Sequence, residues 1–375
     1  MKLKLNLELS KLTKSDVLYF FFFIILEFGE AAGKGASDKV FLTFAAAGFL
    51  FLIYKLVSTR YEYRELFVMA ILGALAIFIY YNTQKEGGVL SLIALIGLKG
   101  VDTRRLLKLS FYIRLLTYLL LVFLASFDII ANSLITDVRG DNTVIRNSMG
   151  YSHPNQFHLA FIILLLLVIY LYYERLTALP IFLLGALNYL VYIRSYSRTS
   201  ALIGFMAIVL MIWFRSNFFN KLKNAVCIGI IPASFLISII PALMYDKIPH
   251  MWEIDRLLQW RFTFSRHYLN SYNLNLFGNN LNADPIVLDS GYVELIINYG
   301  LIFTFLFVTA YMVLIFRFIK KKMYRELLFI VCFSIYGLTE SFIPNLFVNL
   351  SMIFFSEFIF NTDKKQNEGS VYYKT

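Results

Sequence analysis

Phe157-His158-Leu159-Ala160-Phe161-Ile162-Ile163-Leu164-Leu165-Leu166-Leu167-Val168-Ile169-Tyr170-Leu171-Tyr172-Tyr173 carries no charged side chain. At 1.5 Å per residue, a helix of this length approaches the roughly 30 Å hydrocarbon core of a bilayer. Further runs of the same kind lie on both sides of it: Val17–Ala32, Val40–Val57, Leu66–Tyr81, Gly88–Leu98, Leu109–Phe127, Ala178–Ile193, Ser200–Phe214, Ala225–Leu243, Gly291–Phe316, Leu327–Ile343 and Asn345–Phe360. The expected fold is an all-α polytopic membrane protein of about 12 transmembrane helices, a single integral membrane domain over residues 1–375. The fourth run is short, and Pro344 marks the boundary between the last two.

Composition agrees. The chain is 59% apolar and 16% charged, against about 25% charged residues in a typical soluble domain. A dozen spans of roughly 20 residues use about 240 positions and leave short connections. The 38 Phe and 25 Tyr suit lipid-facing and headgroup-level positions. Cys227 and Cys332 stand far apart in apolar runs, which offers neither a disulfide framework nor a metal knuckle. A net charge of +11 would suit nucleic acid as a partner, but the charge follows the membrane pattern. With the N-terminus cytoplasmic, 23 of the 35 Lys and Arg fall in alternate connections on that side and 11 on the other, with Arg114 inside a span. The positive-inside rule then places both termini in the cytoplasm.

The lysine-rich start and the small residues Ala31–Ser37 resemble a signal peptide, but the spans that follow favour a retained anchor. Gly29-x3-Gly33-Lys34-Gly35 lacks the spacing and the Ser/Thr of a phosphate loop. No internal repeat of the transporter kind is visible.

Two long connections face outward in this topology, Asp128–Gln156 and Met244–Ser290. Loops beyond about 12–15 residues are usually functional or disordered. The aromatic residues Trp252, Trp260, Phe262, Phe264, Tyr268 and Tyr272 argue for function. Against the positive-inside rule, the late external segments hold Arg139, Arg146, Arg194, Arg198, Arg256, Arg261 and Arg266 but only Lys247. A guanidinium matches phosphate oxygens two at a time, so this distribution points to a phosphate or pyrophosphate ligand, with headgroup binding as the ordinary alternative.

Arg198-Thr199-Ser200 stands at a helix N-terminus, whose free N–H groups also attract anions. In His153-Pro154-Asn155 the proline favours an extended entry, Asn155 is the expected N-cap, and His153 can move protons near neutral pH. Asp289 precedes the tenth helix and can serve as a cap or accept a proton from a sugar hydroxyl, with the nearby arginines expected to keep it ionised. The Asn-rich run Asn270–Asn282 suits either sugar hydroxyls or solvent. Asp137 and Asp141 flank Gly140 without a ligand cluster, so no metal is expected.

His153-Pro154-Asn155, Ser197-Arg198-Thr199 and the succession Arg261…Phe277-Gly278…Asp289-x-x-Tyr292-x-x-Leu295…Gly300 together resemble the Wzy-type polysaccharide polymerases, relatives of the O-antigen ligases. The topology is similar along nearly the whole chain, the motifs over about a quarter of it. The resemblance implies a GT-C-like glycosyltransferase at the outer face of a bacterial cytoplasmic membrane. Such an enzyme joins undecaprenyl-pyrophosphate-linked oligosaccharides with inversion, without cofactor or metal, beside a flippase and a chain-length regulator. It implies that Arg198 and Arg261 hold the donor pyrophosphate; Arg146, Arg194, Arg266 and Tyr292 join them as expected substrate-binding residues, with Asp289 or His153 as the expected base. Asp289 falls where the ligases carry a histidine, a departure that favours polymerase over ligase. A ligase and a polysaccharide or lipid-oligosaccharide transporter are the alternative readings.

Overall fold

A computed structural model describes residues 13–33, 39–139 and 142–360. Lys34, Gly35, Gly140, Asp141 and the terminal lysines Lys2, Lys4, Lys11, Lys364, Lys365 and Lys374 lie outside the described residues. The described chain is mostly helical: α1 (Lys14–Ala31), α2 (Lys39–Ser58), α3 (Tyr63–Thr83), α4 (Glu86–Gly97), α5 (Thr103–Ser126), α6 (Pro154–Leu171), α7 (Ala178–Ser195), α8 (Arg198–Arg215), α9 (Asn220–Leu243), α10 (Met251–Leu257), α11 (Arg261–Ser271), α12 (Gly291–Glu294), α13 (Gly300–Lys320), α14 (Tyr324–Tyr336) and α15 (Phe355–Phe360). Seven helical stretches among the described residues are long and apolar enough to cross a membrane: α3, α5, α6, α7, α8, α9 and Gly291–Lys320.

The decisive run forms α6, and its all-round apolarity puts it at the centre: 67% of its span is buried, against 17% for α3 and α7. A helix apolar on every side belongs either inside the protein or in lipid, and here neighbouring helices divide those roles. Helix starts follow sequence chemistry. Thr13 and Asp16 form a capping box on α1, and the Asp102 carboxylate accepts from Arg105 N at 2.7 Å on α5. At α6 the cap is His153 rather than Asn155: its Nδ1 accepts from Asn155 N at 3.1 Å, with Pro154 in the first turn. Proline lacks an N–H, so that position needs no partner and the cap moves back by two residues.

The first long connection is not wholly irregular. β1 (Leu134–Arg139) pairs antiparallel with β2 (Asn142–Asn147), Leu134 opposite Asn147. Ile135, Thr136, Val138, Thr143, Val144 and Ile145 supply the β-branched content that favours strands, so this end of the bundle departs from all-α. The second long connection holds α10 and α11.

The expected last two spans differ most. α14 ends at Tyr336, and residues 337–349 run without regular helix before a 3₁₀ turn, Leu350–Phe354, leads into α15. Most of this segment is buried, so its backbone needs partners from elsewhere. Ser91 Oγ on α4 accepts from Leu346 N at 2.8 Å, Asn349 Nδ2 donates to Ile343 O at 2.9 Å, and Arg114 donates to Phe347 O. The Arg114 Nε lies 2.6 Å from Glu27 Oε1 of α1. Arg114 is thus a brace with a buried counter-charge, as pairing with a neighbouring acid requires.

The expected tenth helix is interrupted by a π turn, Leu295–Tyr299, with Gly300 at φ 86°. A β-carbon on Gly278 would stand 1.8 Å from Asn298 O, so only glycine lets that loop touch the turn. Asn279 then bonds the exposed backbone: its N donates to Asn298 O at 3.2 Å and its Nδ2 to Ile297 O at 2.7 Å. Part of the Asn-rich run is therefore committed to holding the π turn.

Candidate functional site

Six segments meet at one end of the bundle: the hairpin, the start of α6, the α7–α8 turn, the start of α11, Asp289–Gly291 and Gly337–Glu340. Arg146 on β2 ties the first three. Its Nε donates to Ser195 O at 3.0 Å, its Nη2 to Asn155 Oδ1 at 2.5 Å, and its Nη1 lies 3.8 Å from Asp137 Oδ2. With three protein partners and a buried side chain, Arg146 organises the site and is not open to a ligand as expected.

The α7–α8 turn is fixed from beneath. His158 on α6 lies 3.0 Å from Ser195 Oγ and 3.1 Å from Asn188 Oδ1, and Asn188 Nδ2 donates to Ala201 O at 2.9 Å. Ser197 Oγ donates to Ser200 Oγ at 2.9 Å, and Ser200 Oγ lies 2.8 Å from Tyr336 Oη. Buried polar chains of this kind hold one geometry because each member loses a partner if the others move. Arg198 is exposed on the first turn of α8 and makes no hydrogen bond or ion pair among the described residues. Arg194, at the end of α7, is likewise exposed.

Arg261 opens α11. Asp255, fully buried, accepts from Phe262 N at 2.8 Å and Thr263 N at 2.9 Å, a carboxylate at the helix N-terminus that the dipole favours. So fixed, Arg261 Nη1 reaches Asp289 O at 3.5 Å and its Nη2 lies 3.5 Å from Glu340 Oε1. Gly291 N donates to Gly337 O at 3.0 Å, and a β-carbon on Gly291 would meet Glu340 O at 2.9 Å. The close backbone approach of the two chain segments brings Asp289 and Glu340 together.

Ser290, not Asp289, is the N-cap residue of α12, so capping does not occupy Asp289. Its carboxyl is raised above the ordinary value: burial outweighs the opposing pull of Arg261 and then His153. The expected fully ionised carboxylate is thereby corrected, because desolvation penalises the charged form more than one guanidinium relieves it. Glu340 is pushed up to about 7, by burial first, with Arg261 opposing and Asp289 adding to the rise. His153 is lowered by burial and then by Arg146, with Asp289 opposing. Two carboxyls, an imidazole and a guanidinium thus share one half-buried place, with Glu340 able to gain and lose a proton near neutral pH.

Two expected substrate contacts are placed elsewhere. Arg266 makes a two-pronged pair with Asp246 at 2.8 and 2.5 Å on the surface. Tyr292 is buried, its hydroxyl donating to Ser334 O at 2.8 Å and its ring standing 4.9 Å edge-on from Phe235. Sequence reasoning missed Glu340, Asp255 and His158. Glu340 had a signal: it is the one acid between Glu326 and Glu357 in an apolar stretch, a position where ionisable groups are costly and usually functional.

Comparison with protein-family models, curated proteins and solved structures gives no match.

Proposed function

We propose that the chain is a membrane glycosyltransferase that joins lipid-pyrophosphate-linked oligosaccharide units into a polysaccharide, working at the end of the bundle that holds Arg261. The observation that carries this reading is the contact of Arg261 with the Asp289 backbone carbonyl and the Glu340 carboxylate, with the open Arg198 on the α8 turn whose Ser200 bonds Tyr336. Displacing a pyrophosphate needs its growing charge met by fixed donors, which Arg198 and Arg261 supply. The attacking sugar hydroxyl needs a proton acceptor within reach, which Glu340 or Asp289 supplies, with His153 alongside. No step calls on a metal.

In this reading the chain crosses a bacterial cytoplasmic membrane twelve times in a GT-C-like arrangement, with α1, α2, α4, α14 and residues 350–360 as the shorter crossings. Both termini are cytoplasmic and the site lies outside. In support, Arg215 closes α8 at the end opposite Arg198, Arg317 lies at the end of the Gly291–Lys320 stretch opposite Asp289, and Lys55 bonds Lys99 O at 2.9 Å beyond α4. A cytoplasmic face is where the positive-inside rule puts such residues. The deciding experiment incubates the purified chain in lipid nanodiscs with lipid-linked repeat units and looks for longer glycan. Transfer to a different acceptor without elongation returns the ligase reading, and absence of any transfer removes both.

A further inference from the structure

A second polar space lies on the other side of the 337–349 segment. It is a cavity of about 210 Å³ lined by Glu30 of α1, Arg114 of α5, Tyr151, Gln156 and Ala160 of α6, and Val348. Three features set it apart from a packing gap. Glu30 and Arg114 both line it, so acid and base share one space. Tyr151 is buried, and its hydroxyl has no partner among the described residues, although an unmade buried hydrogen bond costs about 1–3 kcal/mol. Ser152 Oγ donates to Gln156 Oε1, which leaves the Gln156 amide hydrogens as donors. Empty cavities that persist in proteins are apolar, whereas this one is not.

We propose that this cavity binds one sugar ring of the acceptor unit; the inference rests on the polymerase reading and names its acceptor subsite. The carboxylate of Glu30 accepts from ring hydroxyls, Arg114 and Gln156 donate to them, Tyr151 offers both a hydroxyl and an aromatic face, and Ala160 with its neighbours meets the apolar face of the ring. Sites for drug-sized ligands occupy about 300–1,000 Å³, so this space suits a single ring with the rest of the oligosaccharide outside. Its position fits the reaction: Gln156 lies one turn beyond His153 on α6, and the wall that carries Asn345 and Val348 also carries Glu340.

The test uses the full chain in nanodiscs and, as probe, the repeat-unit oligosaccharide freed of pyrophosphate and lipid, with binding followed by titration calorimetry. The wild-type chain binds the probe. Tyr151→Phe, which removes only the unpartnered hydroxyl, and Gln156→Ala each weaken binding roughly tenfold. Ala160→Leu, which fills the space without touching a polar group, abolishes it, while thermal melting shows each variant folded. Arg198→Lys binds as wild type, since the probe lacks phosphate. Failure of the wild type to bind, or equal affinity in all three cavity variants, overturns the proposal and leaves the cavity to ordered water. A chain that binds the probe with this pattern yet makes no polymer keeps the sugar site and loses the polymerase reading. One that polymerises with cavity-insensitive binding loses only the site.

Discussion

Arg261 Nη2 stands 3.5 Å from Glu340 Oε1, joining the long loop before α12 to the unwound end of α14. The same guanidinium reaches the backbone carbonyl of Asp289, so one side chain ties the Glu340 carboxylate to the chain segment that carries Asp289. Its own position is inherited from Asp255, which holds the start of α11.

Arg198 and Arg261 carry different loads, and lysine substitution separates them. Arg198→Lys keeps charge on an open surface and loses the two-pronged fork, so polymer formation falls about 10- to 100-fold with expression and melting unchanged. Arg261→Lys loses the bridge between Asp289 and Glu340 as well, so both activity and melting temperature fall. Unaltered glycan length in both variants removes the pyrophosphate role.

Glu340 should leave its mark on pH dependence. As the base it is active only when deprotonated, so wild-type turnover rises through about pH 7, the value its carboxyl reaches in the fold. Glu340→Gln lowers turnover and removes that limb. Stability runs the opposite way: a carboxyl raised from 4.5 to about 7 is bound to its proton more tightly in the folded chain. Its contribution is fully present below 4.5 and is lost as pH rises through about 7. Above pH 7 the glutamine variant therefore melts later than wild type, by an amount of order 1 kcal/mol. Parallel melting curves across pH 4–8 remove the shift.

Asp289→Asn tests the neighbouring carboxyl. Because Ser290 is the cap residue, the variant inserts and melts as wild type and makes little or no polymer from lipid-linked repeat units. Near-normal product transfers the role to Glu340 and His153.

Arg114→Met removes the donor to Phe347 O and strands the fully buried Glu27. Breaking a buried pair by deleting one partner costs about 3–5 kcal/mol, and removing both charges recovers much of it. Arg114→Met therefore melts early, and adding Glu27→Leu restores part of the loss. A transporter using Arg114 in its path predicts instead a stable single variant with lost flux.

Asn270, exposed at the end of α11, reports topology. With Cys227 and Cys332 replaced by alanine, a cysteine at position 270 reacts with a membrane-impermeant maleimide added to intact spheroplasts. Labelling only from the cytoplasmic side of inverted vesicles inverts the proposed orientation.

Helices whose apolar runs were long and uninterrupted were legible in the sequence. α6 was expected over Phe157–Tyr173 and forms over Pro154–Leu171, since a span announces itself through hydropathy alone. The hairpin, the π turn and the 337–349 segment were not, because each is stabilised by contacts distant in sequence: Asn279 with Ile297, Ser91 with Leu346, Arg114 with Phe347. The site shows the same division. His153, Arg261 and Asp289 were visible as polar residues at helix starts, and the structure gathers them. Arg146, Arg266 and Tyr292 were visible as residue types only, and their partners Ser195, Asp246 and Ser334 absorb them. Glu340 was hidden within a stretch read as uninterrupted helix.

The segment 337–349 also constrains how the chain is made. Its backbone partners Ser91 and Arg114, and the Glu27 that balances Arg114, all belong to the first third of the sequence. A ribosome delivers α1, α4 and α5 long before residue 337 emerges, so the receiving surface stands ready when the last segment arrives. Until then Arg114 has no Phe347 carbonyl to meet and Asp289 has no Glu340 beside it. Synthesis order thereby sets assembly order: Arg261, Asp289 and Glu340 come together only after the chain has been made past residue 340.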